Sequence, residues 1–216
     1  MKIIKKAYLL PFLVSPFAMA DDGIEYGDYR AANTPVNYSF INLEVGNKSF
    51  EELDNDMMVA RVSGQTLLND SFIFKLGYQA DLLDEANDGT EISYQDNLAN
   101  IGVGWRYPLF KTTDIEVDGH LLYNWNDGVL NNDVEQSDLG YRVGIAINQG
   151  IGDSFDMTLG INHTEIADRS ITAAELSFTQ YITEYVGIGI NGHMAKRDDL
   201  LGDLNYIGVH MKLAFY

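Results

Sequence analysis

The feature that most constrains this chain is a two-residue period combined with the lack of any long apolar run. After residue 20 no apolar stretch approaches the ~18 residues that a membrane-crossing helix needs, yet alternation runs through the chain. In Ile101-Gly102-Val103-Gly104-Trp105-Arg106-Tyr107 the odd positions are bulky and apolar and the even ones small or charged. Phe72/Phe74/Leu76/Tyr78 stand in the same way against Lys75/Gly77/Gln79, and Ile207/Val209/Met211/Leu213/Phe215 against His210 and Lys212. A pleated strand produces this pattern because successive side chains point to opposite faces, whereas a helix repeats every 3.6 residues. Ten such segments are predicted, at 37–49, 56–67, 71–83, 93–109, 114–126, 138–149, 154–166, 171–182, 185–197 and 205–216. Asn191-Gly192, inside the ninth, is also a hairpin-turn pair. As a turn it would leave flanks of only about six residues, so it is kept within a strand.

The connections alternate in kind. They are short after the second, fourth, sixth and eighth segments: Asn69-Asp70, Lys111 to Thr113, Gly150 to Asp153 and Thr183-Glu184. After the odd segments they are mostly longer and acidic, at 50–55, 84–92, 127–137, 167–170 and 198–204. An antiparallel meander with tight turns at one end and polar loops at the other is the layout of a membrane β-barrel.

A soluble sandwich or lipocalin-like barrel would turn its apolar face inward; a membrane barrel turns it to lipid. Aromatics favour lipid. One set gathers near the short-turn ends (Phe72, Tyr107, Phe110, Phe155, Tyr181, Tyr185) and another lies higher (Tyr78, Tyr94, Tyr123, Trp125, Tyr141), as two interfacial girdles would. The opposite faces are rich in glycine, including positions 77, 102, 104, 144 and 189. A narrow lumen needs such small residues and a solvated face does not. The expected fold is therefore all-β: a transmembrane up-and-down antiparallel barrel of about ten strands, eight being the alternative, spanning residues 37–216.

Residues 1–20 read as an address. Lys2, Lys5 and Lys6 precede an apolar stretch from Ala7 to Phe17 that ends in Ala18-Met19-Ala20, the layout of a cleaved secretory signal peptide. Residues 21–36 show no period and read as a periplasmic N-terminal segment. The formal charge of −18 leaves no basic surface for phosphates, which argues against nucleic acid. With no cysteine there is no disulfide scaffold, thiolate zinc site, cysteine nucleophile or lipidated N-terminal Cys.

Over essentially its whole mature length the chain resembles the small Gram-negative outer-membrane β-barrel proteins of the OmpA/OmpX and Opa type. The resemblance rests on the leader, the meander, the acidic loops and the ending Val209-His-Met-Lys-Leu-Ala-Phe-Tyr216, in which Phe215 keeps the phase of the apolar face and Tyr216 lies one beyond. It implies a porin-like protein of the outer membrane, with contacts to outer-membrane lipid and lipopolysaccharide and to the barrel assembly machinery during biogenesis.

By parity the lumen receives Glu44, Arg61, Lys75, Arg106, Glu116, Asp118, Arg142, Glu175 and Lys212. An unpaired charge in a narrow barrel is costly, so these are expected to form a structural network that fills it. The expected role is surface interaction or envelope structure with a largely plugged lumen. A narrow channel for ions or small solutes is the alternative, and a surface enzyme the second. Asp54/Asp56 and Asp118/His120 invite comparison with the omptin proteases, but they lie near opposite ends of the barrel. Gly152-Asp153-Ser154-Phe155 is turn chemistry, and His163-Thr164-Glu165 near the outer rim has no matching serine. Neither a catalytic residue nor a cofactor is expected. Acidic clusters (Glu51, Glu52, Asp54, Asp56; Asp84, Glu85, Asp88, Glu91; Asp127, Asp133, Glu135, Asp138) offer oxygen ligands without an EF-hand loop, and read as a solvated outer surface.

Overall fold

A computed structural model describes residues 36–51, 56–87, 90–128, 137–152, 154–167, 169–198 and 202–215, with 84–87, 90–94 and 127–128 described by backbone only. The leader, nearly all of the segment 21–36, Tyr216 and, of the acidic clusters, Glu52, Asp54, Asp88, Asp133 and Glu135 lie outside the described residues. Ten strands run in chain order: β1 (Phe40–Phe50), β2 (Met57–Leu67), β3 (Phe72–Asn87), β4 (Thr90–Phe110), β5 (Thr113–Gly128), β6 (Ser137–Ile151), β7 (Phe155–Ile166), β8 (Arg169–Tyr181), β9 (Val186–Arg197) and β10 (Leu204–Ala214). Each pairs antiparallel with its neighbours in sequence, and β1 pairs with β10, so the sheet closes on itself and leaves no edge.

Asn191-Gly192 sits inside β9, where Asn191 faces Gly208 and Gly192 faces Ile207. Two boundaries differ from the sequence expectation. The β3–β4 ladder runs on past Leu83↔Tyr94 to Asn87↔Thr90, through what reads as a loop. Asp88-Gly89 is a two-residue hairpin signal, which lets the ladder continue to the tip. At the other end, β1 starts at Phe40, and Val36 to Ser39 leave the strand path for the lumen.

The strands are tilted. Stepping around the ladder from Phe40, low on β1, through Gln65, Lys75, Gly102, His120, Arg142, Thr164 and Ile171 ends at Arg197, the top of β9. Outward residues form an apolar wall, with Val103 58%, Ile145 52% and Val209 54% exposed. On β5, Ile115 is level with Tyr107 of the lower girdle, and Trp125 of the upper girdle stacks with Tyr123. Ten residues at ~3.3 Å each, tilted by ~40°, put the girdles roughly 25 Å apart, the height of a hydrocarbon band.

Inside, the barrel holds two apolar clusters. Val36, Tyr38, Leu67 and Ile73 pack together at the short-turn end. Phe50, Met57, Val59, Ala173, Ala195, Leu204 and Tyr206 pack at the loop end, with Leu83 and Ile171 against them.

Candidate functional site

The lumen between these clusters is where the charged side chains converge. Near the short-turn end Arg106 Nε donates to Asp114 Oδ2 at 2.6 Å, and both side chains are almost fully buried. The Tyr38 hydroxyl donates to the same oxygen at 2.8 Å, and the Arg106 guanidinium lies 4.9 Å from the centre of the Tyr38 ring. Asn148 Nδ2 donates to Glu116 Oε2 at 3.1 Å and to the Tyr38 oxygen at 3.3 Å. Lys75 bridges Glu116 and Asp118. Lys212 donates to Asp156 at 3.3 Å with its ammonium over the Phe40 ring.

Higher up, Arg61 NH1 donates to Glu44 Oε1 at 2.9 Å, and its other nitrogens donate to Gln79 Oε1 at 3.0 and 2.6 Å. Gln79 passes the contact on to Asp81, which pairs with Lys48. The Tyr206 hydroxyl donates to Glu44 Oε1 at 2.5 Å, and His193 stacks on the Tyr206 ring.

The nine network residues therefore divide. Glu44 meets Arg61, and Lys75 meets Glu116 and Asp118, whereas Arg106 and Lys212 take acids outside the set, Asp114 and Asp156. Arg142 lies against the His120 ring at 3.0 Å, and Glu175 receives Asn162 Nδ2 at 3.4 Å; among the described residues no salt bridge reaches either of them. A cavity of about 200 Å³ remains, lined by Arg61, Lys75, Asp118, Asp156, Glu175 and Lys212 among others. Tyr38 and its neighbours stand below it and the Phe50–Met57–Leu204 cluster above it.

Small residues make room for this packing. A Cβ on Gly102 would lie 2.5 Å from His120 Nδ1, whereas one on outward Gly119 would meet nothing within 4 Å. Gly102→Val is expected to displace His120, loosen Arg142 and lose about 1–3 kcal/mol. Gly119→Val should be near neutral, and urea unfolding in lipid vesicles compares the two.

Outside the barrel, His163, Thr172 and Lys196 stand in one register row across β7, β8 and β9. His163 Nδ1 lies 2.9 Å from Thr172 Oγ1 and Nε2 lies 3.3 Å from Glu165 Oε1. The hydroxyl neighbour of His163 is thus a threonine on the next strand, nine residues on, and not a serine.

No family model matches the chain, and no curated protein matches it in sequence. Solved structures match its shape. The NanC porin shares 8% identity at a TM-score of 0.52, covering 81% of this chain and 100% of that one. The beta domain of the Bordetella autotransporter BrkA shares 8% at 0.52, covering 83% and 99%. An outer membrane channel from Pseudomonas putida shares 9% at 0.54, covering 89% and 100%. At these identities the likeness is one of fold: the chain has the architecture of the outer-membrane β-barrels.

Proposed function

We propose that the chain is an integral outer-membrane β-barrel, exported through a cleaved leader at residues 1–20, whose lumen is plugged and whose acidic loop end meets the exterior in surface interaction or envelope structure. Its role is non-catalytic, and it contacts outer-membrane lipid, lipopolysaccharide and, in biogenesis, the assembly machinery. The observation that carries this is the double closure of the lumen: Tyr38, 1% exposed, stands in the short-turn mouth and an apolar cluster stands in the other, with paired charges between. A pore that passes solutes needs a continuous wet path, and ten strands enclose little more space than the eight-stranded barrels that side chains fill.

The mature chain is expected to fractionate with the outer membrane and to show no steady conductance in planar bilayers. Recovery as a soluble periplasmic protein without detergent would overturn the membrane reading. Steady, resolvable conductance would overturn the plug and favour the second reading, a narrow ion channel, which the charged cavity of about 200 Å³ supports.

A further inference from the structure

The outward wall is apolar almost throughout. Among the described side chains, Glu165 on β7 and Lys196 on β9 are the two charged groups that the strands turn outward, and they carry opposite signs. Between them lie His163 and Thr172, hydrogen-bonded to each other at 2.9 Å. Beneath these stand the register partners Ile145 and Ile161, 52% and 57% exposed. A charge on a lipid-facing wall is destabilising, and more so with depth. Lys196 is exposed, and the ion pairs among the described residues leave it out.

The two charges stand at one height. A row of register partners climbs toward β9. From His163 through Thr172 to Lys196 it therefore rises by roughly 6 Å, two steps of ~4.8 Å on strands tilted by ~40°. Glu165 stands two residues above His163 on β7, which raises it by roughly 5 Å. The same dimensions put the two backbones roughly 12 Å apart around the wall, with their midpoint between His163 and Thr172, at the seam of β7 and β8. Glu51 and Asp203 border Lys196 on its far side, past the ends of β1 and β10 and away from that midpoint.

On the premise that the barrel is membrane-embedded, we propose that the β7–β9 wall near the loop end is a dimer interface whose occupant is a second copy of this chain. Copies inserted in one membrane share one orientation, so a two-fold axis relating them runs along the membrane normal. Such an axis keeps height and exchanges left with right. At the β7–β8 seam it sets Lys196 of each copy against Glu165 of the other, twice. His163 and Thr172 meet their counterparts at the axis, each pair keeping its own hydrogen bond, and Ile145 and Ile161 pack across it below. Self-complementarity of this kind needs both signs on one face at one height, and among the described side chains the outward wall offers that combination here alone.

In the interface each charged group exchanges lipid for a group of opposite sign, whereas a face of one sign would repel its own copy. Apolar wall gains little by leaving lipid for apolar wall, so polar groups that pair across the seam set where two embedded surfaces meet.

The test uses the full mature chain, in mild detergent for sedimentation equilibrium and in lipid vesicles for crosslinking. Wild type should be dimeric. Lys196→Glu and Glu165→Lys should each weaken the dimer by about tenfold or more, because each sets like charges opposite one another twice. The two changes together restore the pairing and should bring the affinity back to within about threefold of wild type. The chain has no cysteine, so Thr172→Cys should give a disulfide-linked dimer in vesicles. Leu76→Cys on β3, five strands from β8 in either direction, should not. A monomeric wild type, single exchanges as tight as wild type, a double exchange as weak as the singles, or equal crosslinking by the two cysteine variants would each overturn the interface. Flotation with vesicles and heat-modifiable gel migration, run on the same samples, test the premise and the folding of each variant. A barrel that floats but stays monomeric removes this interface alone, whereas one that fails to float removes the membrane reading.

Discussion

Arg106→Ala is expected to destabilise the barrel by about 3–5 kcal/mol, the range for removing one member of a buried ion pair. The side chains of Arg106 and Asp114 are 4% and 0% exposed. Removing the guanidinium leaves a carboxylate buried without its cation and takes the charge from the face of the Tyr38 ring. Arg106→Met together with Asp114→Leu should recover part of the loss, because an apolar pair of similar volume has no desolvation to offset and neighbouring changes couple. Arg61→Ala should be milder, at roughly 1–3 kcal/mol, because Glu44 still accepts from the Tyr206 hydroxyl and Asn42. Urea unfolding in lipid vesicles measures all three variants. A loss under about 1 kcal/mol for Arg106→Ala would mean that water screens the pair and that the short-turn mouth is open.

That prediction turns on a pairing the sequence does not display. Alternation makes the strands legible because it is local: each residue needs only its neighbours two places away to declare a face. Inward parity likewise makes Glu44 and Arg61 legible, and they are register partners. Partner choice is not local. Arg106 stands opposite Glu116 in the register, yet it bonds Asp114, one inward position lower, while Glu116 takes Lys75 from β3. Long side chains reach diagonal neighbours on a tilted sheet, so parity gives the face and leaves the partner open.

The two apolar clusters inside the barrel are hidden for another reason. Phe50 and Leu204 fall in stretches that read as loops, so no period marks them as inward. Tyr38 reads as the second residue of a strand, and its burial depends on the chain leaving the strand path before Phe40. The exterior row of His163, Thr172 and Lys196 emerges only when three strands are laid side by side. Its one sequence signal is polar residues interrupting an apolar face at His163 and Glu165.

Val103→Arg and Val143→Arg should each cost about 2–4 kcal/mol, the depth-dependent range for a cation at midplane on a lipid face. Both valines face Gly119 in the register, which lies four residues above Ile115 of the lower girdle and six below Trp125 of the upper one. They are also 58% and 50% exposed, so in water the same changes would fall within about ±0.5 kcal/mol, as surface substitutions do. The two environments thus differ by several-fold for one substitution, which makes it decisive. Gly104→Ser, one residue from Val103 on the inward face, is the control. Its Cβ would stand 3.2 Å from Glu116 Oε1, where a hydroxyl can donate to the carboxylate, so the loss should be smaller than for either arginine. Unfolding in vesicles with and without each change gives the comparison. Equal tolerance of arginine at 103 and 143 would show that the apolar wall does not face lipid.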